Sequence, residues 1–73
     1  MASWNLDVWD IQRLKGIALY NWDKETKIKT IDALASYRKN ALSALTDIAS
    51  LVLDKEIKEY TLDKIKQINE GTT

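Results

Sequence analysis

The sequence predicts an all-α protein, a small helical bundle of about three helices with one long central helix. Three observations support this fold class. The chain has no proline and only two glycines, so little interrupts its helices. Hydrophobic residues make up 45% of it, too many for a disordered chain. Apolar side chains recur at steps of three and four residues, the period of one helical face.

The first helix is expected over residues 8–20. Asp7 would cap it, because its side chain can accept hydrogen bonds from backbone amides one turn further on. One helical face then carries Val8, Ile11, Leu14, Ala18 and Trp22. This pattern places Trp22 in the core. Asn21 is predicted to adopt a left-handed turn conformation, and Asp23 to cap the next helix.

The central helix is predicted over residues 24–56. With Ile28 as position a of a heptad, the a and d positions form a seam of Ile28, Ile31, Ala35, Arg38, Leu42, Leu45, Ala49 and Val52. A helix of this length is about 50 Å long. A compact chain of this size has a radius of gyration of only about 11 Å. Either the helix breaks near Asn40 to give a compact four-helix monomer, or a second copy completes the seam. We favour the homodimer.

A last short helix is predicted over residues 62–70. Tyr60 and Thr61 would close the central helix, with Thr61 as the N-cap of the last one. Gly71 stands where a left-handed C-terminal residue belongs. These helices are expected to form one domain over residues 1–73.

Composition argues against an enzyme. The chain has no Cys and no His, which removes disulfides and the commonest ligands of zinc. No glycine-rich loop is present to hold a phosphate group. The acidic residues Glu56, Glu59 and Asp63 alternate with lysines, as on a salt-bridged helix surface. We therefore expect no catalytic residue, no cofactor and no metal.

The candidate interface residues are two Trp side chains and three positions of the seam. Three Trp residues are many for a chain of 73 residues, and Trp is enriched in interface hot spots. Arg38 interrupts the seam and could set the register between two chains. Leu42 and Leu45 lie in the most apolar part of the seam. The candidate set is Trp4, Trp9, Arg38, Leu42 and Leu45.

An alternative function rests on a local excess of positive charge. The whole chain is neutral, with eleven basic and eleven acidic residues. Between residues 24 and 40 the basic residues outnumber the acidic ones, with a candidate basic patch of Lys24, Lys27, Lys29, Arg38 and Lys39. Such a stretch in a dimer could contact nucleic acid, although a solvated helix face is the simpler and favoured explanation.

The sequence favours a protein-protein interaction module that regulates, inhibits or helps to assemble a larger protein partner. The alternative is a dimeric nucleic-acid-binding regulator that uses the 24–40 stretch. The most apolar segment, residues 41–53, is too short and too polar to span a membrane, so no membrane association is expected. The N-terminus lacks the pattern of a signal peptide, which makes the cytoplasm the expected location.

Overall fold

Four α-helices build the protein in the computed structural model, which describes residues 6–71. They are α1 (Leu6–Tyr20), α2 (Lys24–Ala35), α3 (Leu42–Leu51) and α4 (Lys55–Glu70), and a short 3-10 helix, Arg38–Ala41, connects α2 to α3. No strand occurs among the described residues. The predicted all-α class is confirmed, and the predicted number of about three helices is corrected to four.

The first turn of the chain follows the prediction only in part. Helix α1 begins at Leu6, so Asp7 lies within the helix and not before it. Asp23 does cap α2, because its carboxylate accepts a hydrogen bond from the backbone N–H of Thr26 at 3.0 Å. Asn21 is not left-handed, and its side-chain oxygen instead accepts from the N–H of Asp23 at 2.8 Å. The turn is thus fixed by two side chains that accept from nearby amides.

The predicted continuous helix over residues 24–56 is wrong. The helix stops at Ala35, and residues 36–41, here called the hinge, turn the chain before α3 begins. Arg38 has a positive φ of 58°, a left-handed conformation that cannot continue a right-handed helix. The break lies where the compact alternative placed it, near Asn40. Arg38 is therefore an exposed turn residue and not part of a seam.

A second break separates α3 from α4. The backbone is extended at Val52 and at Asp54. Asp54 caps α4 by accepting from the N–H groups of Glu56 and Ile57, at 2.8 and 3.2 Å. The predicted start near residue 62 is wrong, since Thr61 is buried inside α4 and donates its hydroxyl to the Ile57 carbonyl. Gly71 ends the helix with a φ of −92°, which is not left-handed.

The helices pack as two hairpins, the first formed by α1 and α2 and the second by α3 and α4. Asp10 near the start of α1 contacts Tyr37 just after α2, so these two helices are antiparallel. Lys24 at the start of α2 contacts Glu56 at the start of α4, and Lys15 of α1 contacts Asp47 of α3. The two turns, residues 21–23 and 52–54, consequently lie at the same end of the bundle.

The core lies between the hairpins. All four helices contribute apolar side chains with no exposed surface: Ala18, Ile31, Leu34, Leu45, Ile48 and Ile57. The chain thus buries the face that a partner was expected to cover, and its radius of gyration is 11.9 Å. Among the described residues no helix has the length and apolar character needed to cross a membrane.

Candidate protein-binding surface

Large apolar side chains face solvent at the end of the bundle that carries both turns. Trp22 and Leu53 are each 98% exposed, Tyr20 is 78% exposed and Leu51 is 61% exposed. We call these four residues the end surface. They come from two hairpins, and the contact of Lys24 with Asp54 brings the two turns together, at 3.8 Å between Nζ and Oδ2. Contiguous exposed apolar residues are typical of sites that bind other molecules.

Three of these residues, Tyr20, Leu51 and Leu53, help to line a groove of about 540 Å³. It runs between the C-terminal end of α1 and the segment that joins α3 to α4. Its lining consists of Leu19, Tyr20, Lys27, Leu51, Val52, Leu53 and Asp54. Five of the seven lining residues are apolar or aromatic, and the other two are one cation and one anion, as in grooves that accept apolar side chains and orient them with a few polar groups.

Local geometry explains why the end surface is exposed. Leu51, Val52 and Leu53 are three consecutive apolar residues at the end of a helix, and one helical face cannot hold all three. Val52 turns inward and is buried, which leaves its two neighbours pointing outward. Trp22 occupies the middle of a three-residue turn and cannot reach the core. Its predicted core position is therefore wrong.

Charges around the groove largely neutralise one another. Lys24 pairs with both Asp54 and Glu56, and the hydrogen bond to Glu56 raises the pKa of Lys24 above its usual range. The backbone N–H groups of Ile57 and Glu56 lower the pKa of Asp54, and the nearby charges of Lys24 and Lys27 lower it further. Lys24 and Asp54 are therefore ionised at neutral pH, and the surface beside the groove carries paired charges of both signs.

The predicted interface residues that the structure describes lie away from the end surface. Trp4 lies outside the described residues. Trp9 is 72% exposed on α1, and Arg38 is exposed in the hinge, both toward the end of the bundle opposite Trp22. Leu42 is half-buried against the core, and Leu45 has no exposed surface, so a partner cannot touch Leu45 in this fold.

The residues of the predicted basic patch are divided between the two ends of α2. Lys24 and Lys27 lie at the end of α2 near the groove, whereas Arg38 and Lys39 lie in the hinge beyond its other end. Helix α2 separates the two groups by about 18 Å. Lys29 is exposed between them, and Lys24 is already engaged with two carboxylates.

A second polar cluster joins the hairpins on another face. Tyr60 donates its hydroxyl to Asp32 at 2.5 Å, and Lys64 pairs with the same carboxylate at 3.3 Å while lying 5.1 Å from the centre of the Tyr60 ring. The hydrogen bond to Asp32 raises the pKa of Tyr60, so its hydroxyl stays protonated. These contacts connect α2 to α4.

Comparison with protein-family models, with curated proteins and with solved structures finds no match to this chain. Among the described side chains no group of three or more acidic residues is placed to hold a metal ion. Sequence reasoning missed Tyr20, Leu51 and Leu53 as surface residues. The available signal was the run Leu51-Val52-Leu53, which no single helical face can accommodate.

Proposed function

We propose that this protein is a small helical interaction module that binds a larger protein through its end surface, and so regulates, inhibits or helps to assemble that partner. The observation that carries the proposal is the 98% exposure of both Trp22 and Leu53 at the end of the bundle where the groove lies. Burying a large apolar side chain contributes about 1.5–3 kcal/mol. Trp and Tyr are also the side chains most often found at interface hot spots.

The partner is expected to offer an apolar segment, such as one face of an amphipathic helix. Five of the seven residues that line the groove are apolar or aromatic, and Lys27 and Asp54 can orient a polypeptide that carries charges of both signs. A nucleic acid needs an excess of unpaired cations, whereas Lys24 at this end is paired with Asp54 and Glu56. The paired charges beside the groove therefore favour a protein over a polyanion.

A displayed library of random peptides tests the proposal even though the partner is unidentified. Peptides selected on the wild-type protein should carry apolar residues at helical spacing. Their affinity should fall by tenfold or more, about 1.4 kcal/mol, in Trp22→Ser and in Leu53→Ser. Circular dichroism should show that both variants keep their helices.

Trp9→Ser is the matched control, because Trp9 is also exposed but lies on α1 away from the groove. Peptide affinity should not change in this variant. Peptides that bind Trp22→Ser and Leu53→Ser as tightly as wild type would overturn the assignment of the end surface. Retention on heparin that falls steeply with salt and is unchanged by Trp22→Ser would instead favour the nucleic-acid-binding regulator.

The homodimer remains part of this proposal in a changed form. The seam that a second copy was expected to complete is filled by the chain's own hairpins. Leu34 of α2 and Leu45 of α3 are both fully buried within one chain. A dimer that shares this seam therefore requires the hairpins to separate first.

A further inference from the structure

The hinge interrupts a heptad pattern that the sequence continues through it. The apolar residues before and after the hinge keep one helical register, from Ile28 to Leu45. Residues 36–41 read Ser-Tyr-Arg-Lys-Asn-Ala and contain neither glycine nor proline. Nothing in this local sequence therefore requires the helix to stop.

Few backbone angles separate the bent hinge from a straight helix. Ser36, Tyr37 and Leu42 already have right-handed conformations, with φ of −67°, −82° and −59°. Arg38 has a φ of 58°, which a residue with a Cβ atom rarely adopts. Among the described residues it is the only non-glycine position with positive φ. Rotation at Arg38, a smaller adjustment at Ala41, whose φ is −101°, and conversion of the 3-10 turn at residues 39–40 to α-helix would join α2 and α3 into one helix.

A straight hinge would break the contacts between the two hairpins of one chain, and the same contacts can form between hairpins of two different chains. Each ion pair that the structure describes between distant parts of the chain joins one hairpin to the other: Lys15 with Asp47, Lys64 with Asp32, and Lys24 with Asp54 and Glu56. The buried apolar side chains of the two hairpins also face each other. A second copy with a straight hinge presents the same surfaces, so it can restore every one of these contacts.

We infer that the chain forms a hinge-swapped homodimer. In this dimer residues 24–51 form one helix of about 42 Å, and each hairpin packs on the opposite hairpin of the other copy. The swap relieves the left-handed conformation of Arg38 in both chains and keeps the core and the ion pairs. This inference rests on the homodimer of the proposed function and states how its two chains are arranged. It does not depend on the end surface.

Substitutions at Arg38 test whether relief of its left-handed conformation favours the dimer. Glycine tolerates a positive φ, so Arg38→Gly should favour the bent monomer. A β-branched residue tolerates it worst, so Arg38→Val should favour the dimer. One left-handed residue corresponds to about a tenfold change in an equilibrium constant, and each dimer contains two hinges. Sedimentation should therefore give dissociation constants that rise in Arg38→Gly and fall in Arg38→Val, by about tenfold to a hundredfold relative to wild type.

Lys39→Val is the matched control, since Lys39 is exposed beside Arg38 and has no positive φ. It removes the same charge and should leave the dissociation constant within about threefold of wild type. Trp22→Ser should also leave it unchanged, which separates this inference from the end surface. Circular dichroism checks that each variant is helical, and Arg38→Gly keeps the test decisive if Arg38→Val does not fold.

Zero-length cross-linking tests the swap itself. Protein labelled with ¹⁵N is mixed with unlabelled protein in denaturant and refolded at high concentration, and the dimer is isolated. A carbodiimide then couples Lys15 to Asp47 and Lys64 to Asp32. Peptide pairs that contain both isotopes are expected, because in the swapped dimer these residues belong to different chains. Cross-linked peptide pairs that each contain only one isotope would overturn the inference. So would the finding that both the wild type and the Arg38→Val variant stay monomeric at millimolar concentration.

Discussion

The Tyr37 hydroxyl donates a hydrogen bond to Oδ2 of Asp10 at 2.5 Å, which ties the hinge to the first helix. The other carboxylate oxygen of Asp10 accepts from Arg13 at 2.9 Å. Both bonds favour the ionised carboxylate, so the pKa of Asp10 lies below its ordinary value of 3.8, with Tyr37 as the larger cause. One carboxylate thus holds both a neighbour on its own helix and a residue 27 positions away.

This contact predicts a pH dependence. Because the pKa of Asp10 is lower in the folded than in the unfolded chain, its contribution to stability is complete above the unfolded value. The contribution is lost as the pH falls through the folded value, which places the loss below about pH 4. An NMR titration of the Asp10 carboxyl carbon should show its pKa return toward 3.8 in Tyr37→Phe.

Asp23 provides an internal control in the same titration. Its pKa is also lowered, but by the hydroxyl and the N–H of Thr26. The Asp23 pKa should not change in Tyr37→Phe. An Asp10 pKa that is equal in wild type and Tyr37→Phe would contradict the role of the Tyr37 hydroxyl.

Gly16→Ala should stabilise the protein. Gly16 lies inside α1, and a Cβ atom added there meets no other atom within 4 Å. Alanine lowers the entropy of the unfolded chain and suits a helix better, so the free energy of unfolding should rise by about 0.5–1 kcal/mol in urea melts. Gly71→Ala is the control, because its Cβ would approach the Gln67 carbonyl to 3.0 Å and should bring no such gain.

Leu45→Ala should destabilise the protein severely. Leu45 is fully buried in the core between the hairpins, and removing its side chain leaves a cavity. The free energy of unfolding should fall by about 2–5 kcal/mol in urea melts. Leu53→Ala removes the same atoms from a side chain that is 98% exposed, and should cost less than about 0.5 kcal/mol. Equal losses in the two variants would show that Leu45 is not in the core.

Trp22→Ala and Trp9→Ala should leave stability almost unchanged. Both side chains are largely exposed, so each substitution should alter the free energy of unfolding by less than about 0.5 kcal/mol. A loss of about 3 kcal/mol or more, the size expected for a core Trp, would contradict their exposure. If Trp22 is an anchor for a partner, Trp22→Ala should still weaken binding by about 2 kcal/mol or more.

The buried face of the bundle could be predicted from the sequence, but the path of the chain could not. The heptad positions Ile31 and Leu45 are both in the core, as their spacing indicated. The break at Arg38 has only a weak local signal, because residues 36–41 contain neither glycine nor proline, and the sequence left a break near Asn40 as one of two alternatives. The hinge forms because folding the two hairpins together buries both apolar faces, and this gain outweighs one left-handed residue.

The second break did have a local signal. Asp54 is a good N-cap, and the three apolar residues before it cannot share one helical face. The end surface follows from the same residues, since only Val52 of this run turns inward. Exposure of Trp22 was not predicted, because its spacing from Ala18 continues an apolar stripe, although the predicted turn between Asn21 and Asp23 already placed Trp22 beyond the first helix.

The two short turns have a consequence for how fast the chain folds. Each hairpin joins its helices through only three residues, 21–23 and 52–54, and each turn is followed at once by a capped helix. Contacts within a hairpin are therefore close in sequence, and helical proteins dominated by such contacts fold in microseconds to milliseconds. The contacts between the two hairpins of one chain require the hinge to bend. In the proposed hinge-swapped dimer, docking of the hairpins is therefore the step at which a second chain would compete for the same surfaces.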